Sequence, residues 1–391
     1  MGDIVILSAA RTPIGRFLGG LAAVPAPRLG AVAIAEALRR ARVAPERVDE
    51  VIMGQVLTSG VGQAPARQAA LYAGLPSSVP ATTVNKMCGS GLKAVMLGAQ
   101  AIAAGDAQVV VAGGMENMSA VPYLLPRART GLRLGDATLV DALLQDGLVD
   151  AYRRLHMGNC AELLAREYRI SREEQDDFAR RSYTRALEAL DTGLFAAEIA
   201  PVPVPSDGGT RLVAEDEEPR RVDFARIPAL RPAFEEGGTV TAANASSISD
   251  GAAAVVLASA DAARRMDVQP LARVVGQATA ALEPEWFTIA PARAIRLLLD
   301  KVGWRLEDVD LFEINEAFAA VVLGVCRDLG LSLDRVNVHG GAVALGHPIG
   351  CSGARILTTL LHALPRHGAR RGVAAVCLAG GEAVAVAVEA L

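Results

Sequence analysis

Three residues of this chain could together carry acyl transfer through a thiol: Cys88, His347 and Cys377. Cys88 lies in NKMCGSGLKAV, a Gly-Ser-Gly turn that runs straight into an apolar helical stretch. A helix N-terminus lowers a thiol pKa, and the thiolate is the nucleophile. The glycines let a thioester carbonyl approach the backbone closely. The competing reading is a small buried thiol beside a tight turn. His347 sits in GHPIG, where glycine and proline hold it in a rigid turn rather than on an apolar face. Its imidazole could take a proton from Cys88 or donate to an oxyanion, or it could simply bond to backbone. Cys377 lies in the apolar run GVAAVCL, which immediately precedes Ala379-Gly380-Gly381, and taken alone reads as a core cysteine. Asn315 has no titratable proton, so it can orient a water or a carbonyl but cannot be a base. His339, His362 and His367 read as surface or structural residues. No His/Cys/Asp spacing argues for zinc or another metal.

The elements that must position these residues occur twice. Around Cys88 the chain reads turn, Ser90-Gly91, helix, then VVVAGGME ending at Glu116. Around Cys351 it reads turn, Ser352-Gly353, helix, then AAVCLAGGE ending at Glu382. Gly113-Gly114 answers Gly380-Gly381. Such self-similarity implies two related halves, each built on a strand–helix–strand unit.

These segments resemble the thiolases, which move acyl groups between coenzyme A thioesters and carbon. NKMCGSG is similar to the family's nucleophile turn and Asn315-Glu316-Ala317-Phe318 to its NEAF motif. GGAVALGHPIGCSGAR is similar to its GHP motif, and CLAGG to its C-terminal Cys-x-Gly-Gly motif. The resemblance runs from SAARTPIGRF to the last strand. Within the family, DGLVDAY, HMG, RVDF, TVTAANAS and GHPIG look closest to the acetoacetyl-CoA thiolases.

The resemblance implies an α/β fold, the five-layer αβαβα sandwich of two duplicated halves. It implies Cys88 as the acyl-carrying nucleophile and His347 as its activator. Cys377 is then the base that removes a proton from the acetyl-CoA methyl group. Asn315 holds a water that joins His347 in one oxyanion hole. The backbone N–H groups of Cys88 and Ala379 form the other, although the family usually has Gly where Ala379 stands. Glu382 stands where Met or Gly is common and receives no role; Cys351 mirrors Cys88 but reads as structural. Coenzyme A is implied at Leu148, His156, Met157, Phe234, Ser246, Ala317 and Phe318, with Arg220 and Arg221 placed to meet a 3′-phosphate. Pro219 replaces a Tyr that helps bind potassium in related enzymes, so no potassium dependence is expected. Acetyl-CoA, acetoacetyl-CoA and CoA are the expected partners, with no other cofactor, in a homodimer or homotetramer. A long-chain 3-ketoacyl-CoA thiolase shares every one of these catalytic residues and differs in pocket depth. Ketoacyl synthases and hydroxymethylglutaryl-CoA synthases share the duplicated fold, but the second cysteine argues against them. The intact cysteine–histidine–cysteine set argues against an inactive binding protein.

Composition sets the outer bounds. The chain has 391 residues, is 51% hydrophobic with mean hydropathy +0.30, and has only 4% aromatics. Its cores must therefore be built from Ala, Val, Leu and Ile. The net charge of −4, with both signs interspersed, gives no reason to expect nucleic acid or an anionic membrane. Lys86, Lys93 and Lys301 are its only lysines. Five scattered cysteines without a C-x-x-C pair suit a reducing compartment rather than a disulfide framework. The start, MGDIVILSAARTP, lacks the basic and long apolar regions of a signal peptide. No apolar run reaches membrane-spanning length, so a cytoplasmic protein is expected.

Periodicity predicts strands at 4–8, 50–57, 81–85 and 108–112, and helices at 29–41, 66–73 and 89–104. Residues 118–248 are more charged and loop-rich (PVPVPSDGGT, EDEEPRR). They hold one clear helix from Ser171, with Glu174 forming a capping box, to about Leu190. The second half reads as a helix at 291–301, a strand at 309–313, and a helix opened by NEAF and running to 329. A strand at 336–338, a helix at 352–364 and strands at 372–378 and 383–388 follow. The expected division is residues 1–117 with 249–268, an inserted substrate-specificity segment 118–248, and 269–391.

Overall fold

The computed structural model describes residues 3–206 and 208–391; Met1, Gly2 and Asp207 lie outside. Among the described residues the main sheet system has ten strands; the short Gly15–Arg16 pairs beside Ser249 and Asp250, and the other nine form its path: β1 (Ile4–Arg11), β2 (Glu50–Gly54), β3 (Ala81–Val84), β4 (Val109–Asn117), β5 (Ser249–Ser259), β6 (Ala272–Ala281), β7 (Leu311–Ile314), β8 (Arg371–Leu378) and β9 (Glu382–Ala390). Their order is β7-β8-β9-β6-β1-β5-β4-β2-β3. The same motif appears twice in that order. In one half β2 pairs in parallel with β3 and β4, and β5 runs antiparallel to β4 and β1. In the other β7 pairs in parallel with β8, and β9 runs antiparallel to β8 and β6. Among the described residues the two half-sheets pair at Val5 with Arg273 and Ile6 with Ala272.

Eight helices complete the layers: α1 (Ala26–Ala41), α2 (Pro65–Tyr72), α3 (Ser90–Ala104), α4 (Met157–Glu167), α5 (Arg172–Asp191), α6 (Ala290–Val302), α7 (Ala319–Leu329) and α8 (Ser352–Arg366). Strand alternation sorts the core into sheets of side chains. On β5, Ala252, Ala254 and Val256 face α1 and α2, whereas Val255 and Leu257 face α3 and α8. On β8, Ala374 and Val376 face α3 and α8, whereas Val373 and Ala375 face α6 and α7. The result is an αβαβα sandwich with α3 and α8 at its centre. These two helices cross at the duplicated Ser-Gly pairs. A Cβ on Gly353 would lie 2.5 Å from the Leu92 nitrogen, and one on Gly91 would lie 2.9 Å from the Ala354 nitrogen. Only glycine permits that approach.

The segment between β4 and β5 carries α4 and α5, which pack on α7 of the other half. The Ser171–Glu174 capping box forms as the sequence predicts, with Glu174 N–H to Ser171 Oγ at 3.1 Å and Ser171 N–H to Glu174 Oε2 at 2.7 Å. Five expectations change. NEAF does not open a helix: Asn315 N–H bonds to the Ala375 carbonyl, and the Ala317 carbonyl accepts from Ser246 N–H. The motif is thus pinned laterally, and α7 starts at Ala319. The strand at 336–338 shrinks to one bridge between Val336 and Phe312. There the Asn337 side chain takes over the strand's pairing, accepting from Ile314 N–H and donating to the Ile314 carbonyl, both at 2.8 Å. The strand from residue 50 stops at Gly54 because Glu116 captures the N–H groups of Val56 and Leu57. Within the PVPVPSDGGT loop, Val202–Ser206 and Gly209–Val213 pair as a hairpin. Finally, Met87–Ala104 is long and apolar enough to cross a membrane, contrary to the sequence reading. Its apolarity is explained by α3, a central helix packed between two sheets.

Candidate active site

Cys88 projects from a turn that the sequence builds residue by residue. As the chain leaves β3, Asn85 Oδ1 accepts the Met87 N–H at 3.0 Å. Ser90 Oγ accepts the Lys86 N–H at 2.8 Å and donates to the Met87 carbonyl at 2.6 Å. Met87 is forced to φ 47°, a strained value for a side-chain-bearing residue. Helix α3 begins only at Ser90, with Gly89 as its cap. Cys88 stays half-buried, yet its surroundings push the thiol up to about 12. Desolvation is the main cause, and the Glu116 carboxylate adds to it. The N–H groups of Ala379 and of Cys88 itself pull the other way. The lowered thiol pKa expected from the helix end is therefore reversed: burial outweighs the dipole two residues ahead of the helix.

The GHPIG turn leads into α8 and buries His347. Its Nδ1 lies 2.6 Å from Ser352 Oγ, whose hydroxyl donates to the Pro348 carbonyl at 3.0 Å. Ser352 must then accept from His347, which fixes the proton on Nδ1 and leaves Nε2 as the acceptor. Desolvation, with a smaller contribution from the Arg355 charge, lowers the imidazole to about 3 and keeps it neutral. Asn315 Nδ2 stands 3.5 Å from His347 Nε2, and its Oδ1 is buried without a protein partner.

Cys377, the penultimate residue of β8, is fully buried in the cluster that holds Met157, Phe287, Ala317 and Phe318. Burial raises its thiol pKa, and the charge that Cys88 could carry raises it further. The hairpin to β9 turns at Gly380 and Gly381, with φ 92° and 86°, while Ala379 is not among the positive-φ residues. Alanine in place of the family's usual glycine therefore needs no positive φ here, and its N–H favours the Cys88 thiolate. Glu382, without a role in the sequence reading, forms an ion pair with Lys86. Cys351 is wholly buried against Ala253 and Ala354.

One open cavity of about 380 Å³ joins Cys88 and His347 to Leu148, His156, Met157, Phe234, Ser246, Ala317 and Phe318. Its walls are mostly apolar, and its size falls at the small end of ligand sites, roughly 300–1,000 Å³. His156 caps α4 by accepting the Gly158 N–H at 3.1 Å and stacks on Phe234 at 4.8 Å. Arg220 and Arg221 do not line this cavity. They are exposed in a turn begun by the buried Pro219, paired with Asp191 and Glu215 and with Glu218. Phe287 lines the wall and was missed in the sequence, where nothing marks it. Ser352 was also missed, although the repeated Ser-Gly pair was a usable signal.

Models of the thiolase N-terminal and C-terminal domains match residues 4–261 and 268–390. The chain belongs to the thiolase family. An acetyl-CoA acetyltransferase of Cupriavidus necator is 54% identical to this thiolase, covering 100% of both chains. A mitochondrial acetyl-CoA acetyltransferase of Rattus norvegicus is 52% identical, over 100% of this chain and 92% of its own. The crystal structure of the Bacillus anthracis acetyl-CoA acetyltransferase superposes with a TM-score of 0.98 at 44% identity, covering 100% of this chain and 99% of that one. This thiolase is accordingly an acyltransferase.

Proposed function

We propose that this thiolase is an acetyl-CoA C-acetyltransferase, condensing two acetyl-CoA into acetoacetyl-CoA and CoA and running thiolysis in reverse. The observation that carries the reading is the meeting of Cys88 and His347 in one apolar cavity, with Cys377 buried behind its wall. The full-length similarity to proteins of that name supports it.

In this reading Cys88 Sγ attacks the carbonyl carbon of acetyl-CoA. Its proton passes to His347 Nε2 and stays there, and the C–S bond to CoA breaks, with the CoA thiolate taking its proton from the Cys377 thiol. Because burial disfavours both thiolate and imidazolium, the proton moves together with the attack rather than ahead of it. The N–H groups of Cys88 and Ala379 stabilise the oxyanion. Cys377, now a thiolate, removes a methyl proton from a second acetyl-CoA, whose enolate oxygen accepts from the Nε2–H of His347 and from a water on Asn315. The new carbanion attacks the acetyl-cysteine carbonyl, the C–C bond forms as the thioester bond to Cys88 breaks, and the Cys88 thiolate regains its proton from His347 Nε2. Leu148, His156, Met157, Phe234, Ser246, Ala317 and Phe318 would line the pantetheine arm. A 3′-phosphate reaching Arg220 and Arg221 would have to open their present ion pairs. The reading is completed by a homodimer or homotetramer in the cytoplasm, needing neither a metal nor an organic cofactor.

Chain length tests it. Each methylene bound in an apolar pocket contributes about 0.8 kcal/mol, so a deep tunnel would favour long substrates by orders of magnitude. With Met157, Leu148 and Phe287 in the wall, kcat/KM for thiolysis should be highest for acetoacetyl-CoA and fall steeply beyond six carbons. Comparable efficiency on a 3-ketoacyl-CoA of ten carbons would assign the chain to fatty-acid breakdown instead.

A further inference from the structure

The two copies of the fold hold each other's reactive turn. At the end of β4, Glu116 accepts the N–H of Gly350, the last residue of the His347 turn, at 3.0 Å. It also accepts the N–H groups of Val56 and Leu57 at 3.0 and 3.2 Å. The approach is so close that a Cβ on Gly350 would lie 2.7 Å from Glu116 Oε2 and 2.8 Å from the Met115 carbonyl. At the start of β9, in the other copy, Glu382 pairs with Lys86, two residues ahead of Cys88. The same hairpin presses on Gly89, where a Cβ would meet Leu378 at 2.3 Å and Val384 at 2.9 Å. The Ala379 N–H of this hairpin also favours the thiolate form of Cys88.

We propose that Glu116 and Glu382 are positioning residues of a reciprocal latch. In each copy a carboxylate that closely follows the Gly-Gly pair fixes the other copy's reactive turn, and the two arms together set how Cys88 faces His347 and Cys377. The inference rests on the reading of Cys88 as the nucleophile. The need for an outside hold is visible in the nucleophile turn itself: left-handed Met87 stores strain that the turn would release if freed. The arms differ physically. Glu116 is fully buried, and a glutamine there would turn one of its acceptors into a donor facing N–H groups. Lys86 and Glu382 keep 30% and 29% exposure, so their pair is screened by salt.

The test is the rate at which labelled acetyl-CoA acetylates Cys88 in rapid-quench experiments. In about 0.01 M salt, Glu382→Gln should slow acetylation about two- to fivefold, the range of a partly exposed pair. In about 1 M salt, where charges are screened within about 3 Å, wild type should fall to the variant's rate. Lys86→Glu should be slower still, and exchanging the charges, Lys86→Glu with Glu382→Lys, should restore the rate to within about twofold. Glu116→Gln should slow acetylation at least about tenfold with KM for acetyl-CoA little changed, as small misplacements at a reacting centre do. Should Glu116→Gln not fold, the partly exposed Glu382 arm decides alone. A Glu382→Gln protein that acetylates at the wild-type rate in low salt, or a charge exchange no faster than Lys86→Glu alone, overturns the latch. Wild-type protein that takes no label on Cys88 overturns the underlying reading instead.

Discussion

At the residue scale the proposed mechanism depends on controlling where protons sit rather than on holding charges ready. Burial pushes Cys88 up to about 12 and His347 down to about 3, so the resting pair is neutral. What prepares it is the tautomer, and Ser352 fixes that through one 2.6 Å hydrogen bond whose direction is dictated by the Pro348 carbonyl. Ser352→Ala frees the imidazole to place its proton on Nε2, where it cannot accept from the thiol. General acid–base catalysis contributes about 10²–10⁴-fold, so losing tautomer control should lower kcat roughly ten- to a hundredfold with KM nearly constant. Steady-state thiolysis checks this, and a kcat within twofold of wild type would remove Ser352 from the account. The turns that hold Cys88 and His347 were legible because turn chemistry is written locally. The thiol's direction of shift was not, because desolvation comes from distant strands. The helix dipole was the only term visible in the local sequence.

At the element scale the decisive feature is the crossing of α3 and α8 at Ser90-Gly91 and Ser352-Gly353. The repeat was visible in the sequence; that the two copies touch was not, since nothing in one chain's pattern says which helix faces which. The same limit explains β6, whose side chains are mostly half-buried and break the apolar runs that mark other strands. It also explains NEAF, whose helix-like start is overridden by lateral pairing to Ala375 and Ser246. The crossing gives a test in which local propensity and packing disagree. Alanine is favoured over glycine in a helix by about 1 kcal/mol. Yet a Cβ on Gly353 would meet Leu92 backbone and Cβ at 2.5 and 2.7 Å, which rigid helices cannot relieve cheaply. Gly353→Ala should therefore destabilise by about 1–3 kcal/mol, the cost of overpacking a core. A denaturant midpoint equal to or above wild type would show that the helices do not cross as described.

At the scale of the whole molecule, the duplication explains why the site needs both halves. The half that contributes Cys88 contributes neither His347, Asn315 nor Cys377, and the segment inserted into that first half packs on α7 of the second. The sandwich was foreseen from the resemblance, and the apolar strands that fill it were legible from their near-continuous hydrophobic runs. The way β1 and β6 join the half-sheets through two residue pairs was beyond any sequence pattern. The central claim is that two thiols from different halves share one reaction, with separate tasks. The direct measurement is brief exposure to labelled acetyl-CoA, followed by peptide mapping and by exchange of the acetyl methyl protons with solvent. The account expects label on Cys88 in wild type and none in Cys88→Ala, while Cys377→Ala still takes label but no longer exchanges methyl protons. Label on Cys351 or Cys160, or methyl exchange at the wild-type rate in Cys377→Ala, would contradict it.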